Sequence, residues 1–316
     1  MKKLFSASLV SGLPRQCGKS GTVLLLTASL IWGFAFVAQS AGMDYLGPFS
    51  FNGTRYFLGC AVLLPLVILR RSAAKKRGIN RGTKKDLYLA GISCGIVVCL
   101  ATTLQQIGII YTTVGKAGFI TTLYIIIVPV MGVFLKRHVD GIIWVGALIA
   151  GVGVYLLCIN ESFTLNRGDI YVFFSAIVFS VHILIIAHFA HRVDGVTLSF
   201  MQFLIAGTIC SLIGFPLEKP LLSDFVAGLW PLLYTGILSS GVAYTLQIVG
   251  QRDADPSVAS LIFSLESVFA VLGGYLILNQ NLTGRELLGC AVMFAAVILV
   301  RLPVKIGIKS GIRKRF

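Results

Sequence analysis

Ala101-Thr102-Thr103-Leu104-Gln105-Gln106-Ile107-Gly108 and Ala243-Tyr244-Thr245-Leu246-Gln247-Ile248-Val249-Gly250 share one outline, A-x-T-L-Q-x-x-G. The likeness extends in both directions. Setting Trp32 on Phe179 carries Pro48-Phe49 onto Gly195-Val196 and Arg55-Tyr56-Phe57 onto Gln202-Phe203-Leu204. Farther along, Val139-Asp140-Gly141 with Gly146 matches Leu282-Thr283-Gly284 with Gly289 at the same spacing. The chain reads as one unit used twice.

Each unit is built of apolar runs long enough to cross a bilayer. Of 316 residues, 56% are hydrophobic and 12% charged, about half the charge of an ordinary soluble domain. Runs of about 20 apolar residues, the length that spans a hydrocarbon core of about 30 Å, recur along nearly the whole chain. They predict ten transmembrane helices over 22–42, 49–69, 87–110, 114–135, 141–159, 169–190, 196–216, 226–248, 256–278 and 286–302. The connections between them are short and polar, such as Asn160-Glu161-Ser162 and Asn279-Gln280-Asn281, and leave no room for a soluble domain. The predicted fold is therefore all-α and integral to the membrane. Five spans per half is an odd number, so the second half enters the bilayer upside down relative to the first. Such inverted repeats give two nearly equivalent packings around a central site, the geometric basis of alternating access.

A net charge of +15 raises the question of nucleic acid, which the placement of the 27 Lys and Arg answers. With both termini cytoplasmic, basic residues fill the N-tail, the Arg70–Lys85 connection, the later inner loops and the C-terminal end. The outer connections hold only Arg167, Lys219 and Arg285, and Arg55 and Lys116 fall within spans. This is the asymmetry that fixes topology, so no nucleic-acid partner is expected. Lys19 precedes a first apolar run of full spanning length, which argues against a cleaved signal peptide. The seven cysteines show no metal-ligand spacing. His182 and His188 are six residues apart and do not stack on one helical face; no carboxylate or cysteine completes a set with His188 and His191. No metal or cofactor is expected.

The chain is identified as a member of the drug/metabolite transporter superfamily, of the type with two EamA domains. The resemblance is carried by Ser29-Leu30-Ile31-Trp32-Gly33-Phe34-Ala35-Phe36, by the stretch from Ala259-Ser260-Leu261-Ile262-Phe263 through Ser264-Leu265-Glu266-Ser267-Val268-Phe269-Ala270, and by Leu282-Thr283 with Leu287-Leu288-Gly289. It covers residues 21–302. Two departures are Glu266-Ser267, where the family often has Glu-Pro, and Asn279-Gln280-Asn281, where it often has Gly-Glu. The expected organisation is an N-tail (1–20), a first EamA-like five-helix repeat (21–159), a second (168–302) and a basic C-tail (303–316).

Polar residues inside the spans are the candidate site, because a charged group at mid-membrane costs about 2.5–3.5 kcal/mol on insertion scales and persists where it faces a cavity or a partner. Glu266 lies near the middle of the ninth span, where a carboxyl can take up and release a proton as a cavity changes sides; the plainer reading is a hydrogen bond to a neighbouring helix. Arg55 either snorkels to the outer surface or projects into the cavity, where a guanidinium suits a carboxylate or phosphate. Its repeat partner Gln202 is also polar. Lys116 opens the fourth span in Thr113-Val114-Gly115-Lys116-Ala117-Gly118, among small residues that admit either snorkelling or close approach of a solute. Gln105 and Gln247, symmetric in the duplication, can bond a ligand or another helix. Tyr124, Tyr244, Trp32 and Gln39 complete the polar and aromatic candidates. Gly146, Ala147, Gly151 and Gly153 form a close-packing face, and Pro129 and Gly273-Gly274 mark expected bends.

The function these features predict is secondary active transport of a small organic metabolite across a bacterial inner membrane, driven by protons or by a counter-substrate. The resemblance implies amino acids or related compounds, and export. A sugar-phosphate or nucleotide-sugar exchanger of the same superfamily and a non-transporting membrane sensor are the alternatives. Without a Walker-type loop or an H-E-x-x-H zinc motif, neither ATP hydrolysis nor metallo-enzyme chemistry is indicated, and the chain is not expected to be an enzyme.

Overall fold

The computed structural model describes residues 18–76, 83–158, 166–278 and 283–301. Most of the basic tails, the centre of the Arg70–Lys85 connection, and the Asn160-Glu161-Ser162 and Asn279-Gln280-Asn281 connections lie outside the described residues. Every described element is helical: α1 (Lys19–Gly42), α2 (Pro48–Lys76), α3 (Lys84–Tyr111), α4 (Val114–Thr121), α5 (Tyr124–Phe134), α6 (Gly141–Cys158), α7 (Arg167–Phe189), α8 (Gly195–Glu218), α9 (Leu222–Ala227), α10 (Leu229–Leu233), a π-helical segment (Tyr234–Ala243), α11 (Tyr244–Gln251), α12 (Pro256–Phe263), α13 (Glu266–Leu278) and α14 (Gly284–Arg301). Eight helices or helical runs are long and apolar enough to cross a membrane. Two shorter apolar helices, within α6 and α14, occupy the places expected for the fifth and tenth spans.

Helix starts follow local chemistry. Thr83 accepts from the Asp86 amide, Thr113 from Lys116, Asp194 from Thr197, and Asp255 from Ser257 with Pro256 at the first helical position. Asn166 and Asp169 form a reciprocal capping box at the start of α7.

The distribution of side chains is that of a protein solvated by lipid. Phe134, Leu148, Leu212 and Leu222 point outward, more than two-thirds exposed, whereas Arg55, Gln105, His182, Gln202, Gln247 and Glu266 are buried. Polar groups can be kept inside because neighbouring helices supply their partners, while the outer face needs only apolar contact.

Helix pairing repeats under exchange of the two halves. The central pair α2 and α8, and the pair α6 and α14, are each an element packed on its own repeat mate. The contact of α3 with α7 has its counterpart in that of the π-segment and α11 with α1. Glycines make the equivalence sharp: a Cβ built at Gly108 would lie 2.9 Å from the Gly168 carbonyl oxygen, and one built at Gly250 would lie 3.1 Å from that of Gly21. In the repeat registers Gly108 matches Gly250, and Gly168 matches Gly21. Of the predicted glycine face on α6, Gly153 and Gly146 do seat against α14, at Met293 and Val300, but Gly151 faces open space, being turned away from that contact.

The interruptions of the helices fall elsewhere than expected. Both α5 and α13 run unbroken through Pro129 and Gly273-Gly274. The breaks lie about two turns earlier or more, at Thr122-Leu123 and Ser264-Leu265. There the Thr122 hydroxyl donates to the Phe119 carbonyl at 2.8 Å, and the Ser264 hydroxyl to the Leu261 carbonyl at 2.7 Å. The backbone tightens alongside, with Leu123 bonded to Ile120, Ile125 to Thr122, Leu265 to Ile262 and Ser267 to Ser264, all three residues back. A hydroxyl that bonds its own preceding turn competes with the helical ladder and accompanies the tightening here, where neither proline nor glycine is present. The two breaks correspond residue for residue in the register that sets Gln105 on Gln247.

Candidate functional site

The site is a cavity of about 40 Å³ lined by both halves, room for a few water molecules. Trp32, Gln39 and Phe36 reach it from α1, Arg55 from α2, Gln105 from α3, Thr121 and Tyr124 from the two sides of the first break, His182 from α7, Ser239 from the π-segment, Tyr244 and Gln247 from α11, and Phe263 and Glu266 from the two sides of the second break.

At its centre the Tyr124 hydroxyl donates to Glu266 Oε1 at 2.8 Å, with both side chains buried. Each of these residues opens the helix that follows its break, and the register that pairs the glutamines pairs Tyr124 with Glu266. The bond therefore joins one repeat position to its own mate. Only side-chain identity differs between the halves here, a phenol in the first and a carboxyl in the second.

Arg55 is 2% exposed, so it does not snorkel. Nη1 donates to Gln39 Oε1 at 3.1 Å and Nη2 to the Tyr56 hydroxyl at 3.4 Å, and Tyr56 in turn shares a short hydrogen bond with Thr102. The guanidinium also lies over the rings of Tyr56 and Phe51, 5.1 and 5.7 Å from their centroids. None of these partners is a carboxylate, and Nε has no partner. A buried cation so placed costs several kcal/mol unless an anion joins it.

Gln105 Nε2 donates to Thr121 Oγ1 at 3.0 Å. In the second half the position matching Thr121 is Phe263, which offers no hydroxyl, and the Oε1 of the mate Gln247 is without a partner. Trp32 packs its edge on Tyr244 and Phe263, at 4.8 and 5.4 Å, with Nε1 unpaired. Of the ten residues singled out as the candidate site, eight thus share one cavity. Gln202 stands one layer behind, bonded to His182 at 3.1 Å. Lys116 stands apart: its Nζ pairs with Asp169 Oδ2 at 2.9 Å, and Asp169 also accepts from Thr112 and the Asn166 amide.

Sequence reasoning passed over His182 except as a metal ligand. The signal was the repeat: Phe179 and Ile183, matching Trp32 and Phe36, both line the cavity, and His182 lies on the same face of α7. Ser239 could not be found this way, because its segment is π-helical whereas the corresponding part of α3 is α-helical. Sequence reasoning found no G-x-S-x-G motif, yet Gly91-Ile92-Ser93-Cys94-Gly95 has the spacing of a hydrolase nucleophile turn; it lies inside α3, where Ser93 donates to the Leu89 carbonyl at 2.7 Å. The strand-to-helix elbow that such a serine requires is not formed there.

The EamA-like transporter family matches residues 19–159 and again 166–302. The chain belongs to that family. An uncharacterized transporter of Archaeoglobus fulgidus is 32% identical over 308 residues, covering 93% of this chain and 92% of its own. A WAT1-related chloroplastic protein of Arabidopsis thaliana is 25% identical, covering 90% and 71%, and the uncharacterized transporter YoaV of Bacillus subtilis is 21% identical, covering 87% and 94%. A solved crystal structure superposes with a TM-score of 0.71 at 19% identity, over 90% of this chain and 99% of that one, and so shares the fold. As an EamA-like protein of the drug/metabolite transporter superfamily, the chain is a multi-pass membrane protein of a transporter family, with lipid around it and a small molecule as its cargo.

Proposed function

We propose that this EamA-like protein is a secondary active transporter that exports a small organic metabolite, an amino acid or related compound, across a bacterial inner membrane by alternating access. In this reading ten helices cross the bilayer, α6 and α14 included, as two inverted five-helix repeats over 21–159 and 168–302, with both termini cytoplasmic. The reading is carried by the Tyr124–Glu266 hydrogen bond, which ties the two matched helix breaks together across the cavity. Breaks of this kind let the half of a helix on one side of the membrane move without the other.

Glu266 is the coupling group. When it gains or loses a proton its bond to Tyr124 changes between neutral and charge-assisted, and the energy that holds the two breaks together changes with it. Arg55 holds the anionic end of the solute. A sugar-phosphate or nucleotide-sugar exchanger is the less supported reading, because Lys116, the second cation such a cargo would use, is paired with Asp169 outside the cavity.

Flux of pooled amino acids and organic acids into proteoliposomes under an imposed pH gradient tests this. Gradient-driven flux that disappears in Glu266→Gln is the expected result. Flux that ignores the gradient and survives the substitution would remove proton coupling and leave exchange by a counter-substrate. No flux of any solute would favour a membrane sensor.

A further inference from the structure

His182 is fully buried on α7 and lines the cavity, yet nothing in the transport scheme above uses it. Its Nε2 lies 3.1 Å from Gln202 Oε1. An amide oxygen only accepts, so in this arrangement Nε2 carries the proton and Nδ1 is a bare acceptor. That Nδ1 is buried without a partner. Leaving a buried polar atom unsatisfied costs about 1–3 kcal/mol, so Nδ1 favours a donor brought into the cavity by a solute.

The repeat gives this pair a counterpart. Gln202 matches Arg55, and Arg55 bonds Gln39 on α1 as Gln202 bonds His182 on α7. Each half thus contributes a dyad made by its first and second helices. Arg55 Nε–H and Trp32 Nε1–H are unpaired donors in the first half; in the second, His182 Nδ1 and Gln247 Oε1 are unpaired acceptors beside the unpaired Gln202 Nε2 donor.

We infer that His182, held in one tautomer by Gln202, determines specificity by accepting an N–H or O–H from the solute whose carboxylate Arg55 holds. The solute class is then a small carboxylate bearing a hydrogen-bond donor next to it, a 2-amino or 2-hydroxy acid, discriminated from a plain carboxylate of the same shape. This rests on the transport reading for the location of the cargo. It adds a residue and a rule of selection that the reading does not contain.

Isothermal titration calorimetry on the protein in lipid nanodiscs tests it with three nearly isosteric probes: L-alanine, L-lactate and 2-methylpropionate. The unsubstituted protein binds the first two about tenfold more tightly than the third, the worth of one buried hydrogen bond. In His182→Phe the preference disappears, with the affinity of 2-methylpropionate unchanged within about twofold. His182→Asn, which keeps an acceptor, restores part of it. Gln202→Leu leaves the imidazole in place but frees its tautomer, and lowers the preference while His182 remains; this serves where His182→Phe does not fold. The inference is overturned if neither alanine nor lactate binds, if the three probes bind alike, or if the preference survives in His182→Phe and Gln202→Leu. Flux without this preference would sink the inference and leave transport standing; the preference without flux would do the reverse.

Discussion

Gly33→Ala should separate a bundle held by the contact of α1 with α13 from one merely tolerant of it. A Cβ built at Gly33 would lie 2.7 Å from the Glu266 carbonyl oxygen and 2.8 Å from the Ala270 amide nitrogen, and closer still to Phe269 Cβ. Backbone atoms are the obstruction, so no side chain can rotate to relieve it. Carbon atoms pack best at about 3.5–4.0 Å, so α1 and the first turn of α13 must separate by roughly 1 Å. Overpacking of this kind costs about 1–3 kcal/mol. Glu266 opens that turn, and its 2.8 Å bond to Tyr124 has little slack before it passes the outer limit of a hydrogen bond, about 3.2 Å. Losing a bond to a buried carboxyl, about 1.5–3 kcal/mol when charged, corresponds to roughly tenfold to a hundredfold in flux. Thermal unfolding in nanodiscs and gradient-driven flux in proteoliposomes are the measurements, with Gly151→Ala, which meets open space, as the control. A Gly33→Ala protein as stable and as active as the control would refute both the tight contact and its mechanical link to Glu266.

Arg55→Met should abolish binding of carboxylate probes, and Arg55→Lys should restore little, because an ammonium cannot reproduce the fork that reaches Gln39 and Tyr56 together; calorimetry reads both. Lys116→Met should lower stability by about 1–3 kcal/mol by leaving Asp169 short of one partner, yet keep probe affinity within about twofold, since the pair lies outside the cavity; loss of binding would place Lys116 in the site after all. Tyr124→Phe should reduce gradient-driven flux by about tenfold while counter-flow exchange of the same solute persists, because only the coupling bond is removed; equal loss of both would deny it that special role.

The repeat and the membrane character were legible because both are written in long-range pattern: the A-x-T-L-Q-x-x-G outlines, and apolar runs that need no partner to be recognised. Arg55, Glu266 and the two glutamines stood out by the same logic, as polar groups where lipid gives them no reason to be. Lys116 stood out equally and sits elsewhere, because a cation near a helix start looks the same in sequence whether it meets a solute or a carboxylate. That carboxylate, Asp169, belongs to the other half of the chain. The helix breaks were not legible from Pro129 and Gly273-Gly274. They arise at Thr122 and Ser264, where an ordinary hydroxyl turns back on its own helix, a choice that the surrounding packing makes. The π-helical segment left no mark in composition at all.

The Lys116–Asp169 pair has a consequence for which way the protein rests. A perfectly duplicated chain of inverted halves would have inward-open and outward-open forms that are mirror-equal in energy, each being the other viewed from the opposite side. In the repeat registers the mates of Lys116 and Asp169 are Val258 and Thr22, which cannot form an ion pair. If the bundle works by alternating access, the ion pair latches one form and has no charged counterpart at the matched positions of the other half. A difference of about 1.4 kcal/mol shifts such an equilibrium tenfold. The resting preference of a transporter built by duplication is thus encoded in the few places where its two copies no longer agree.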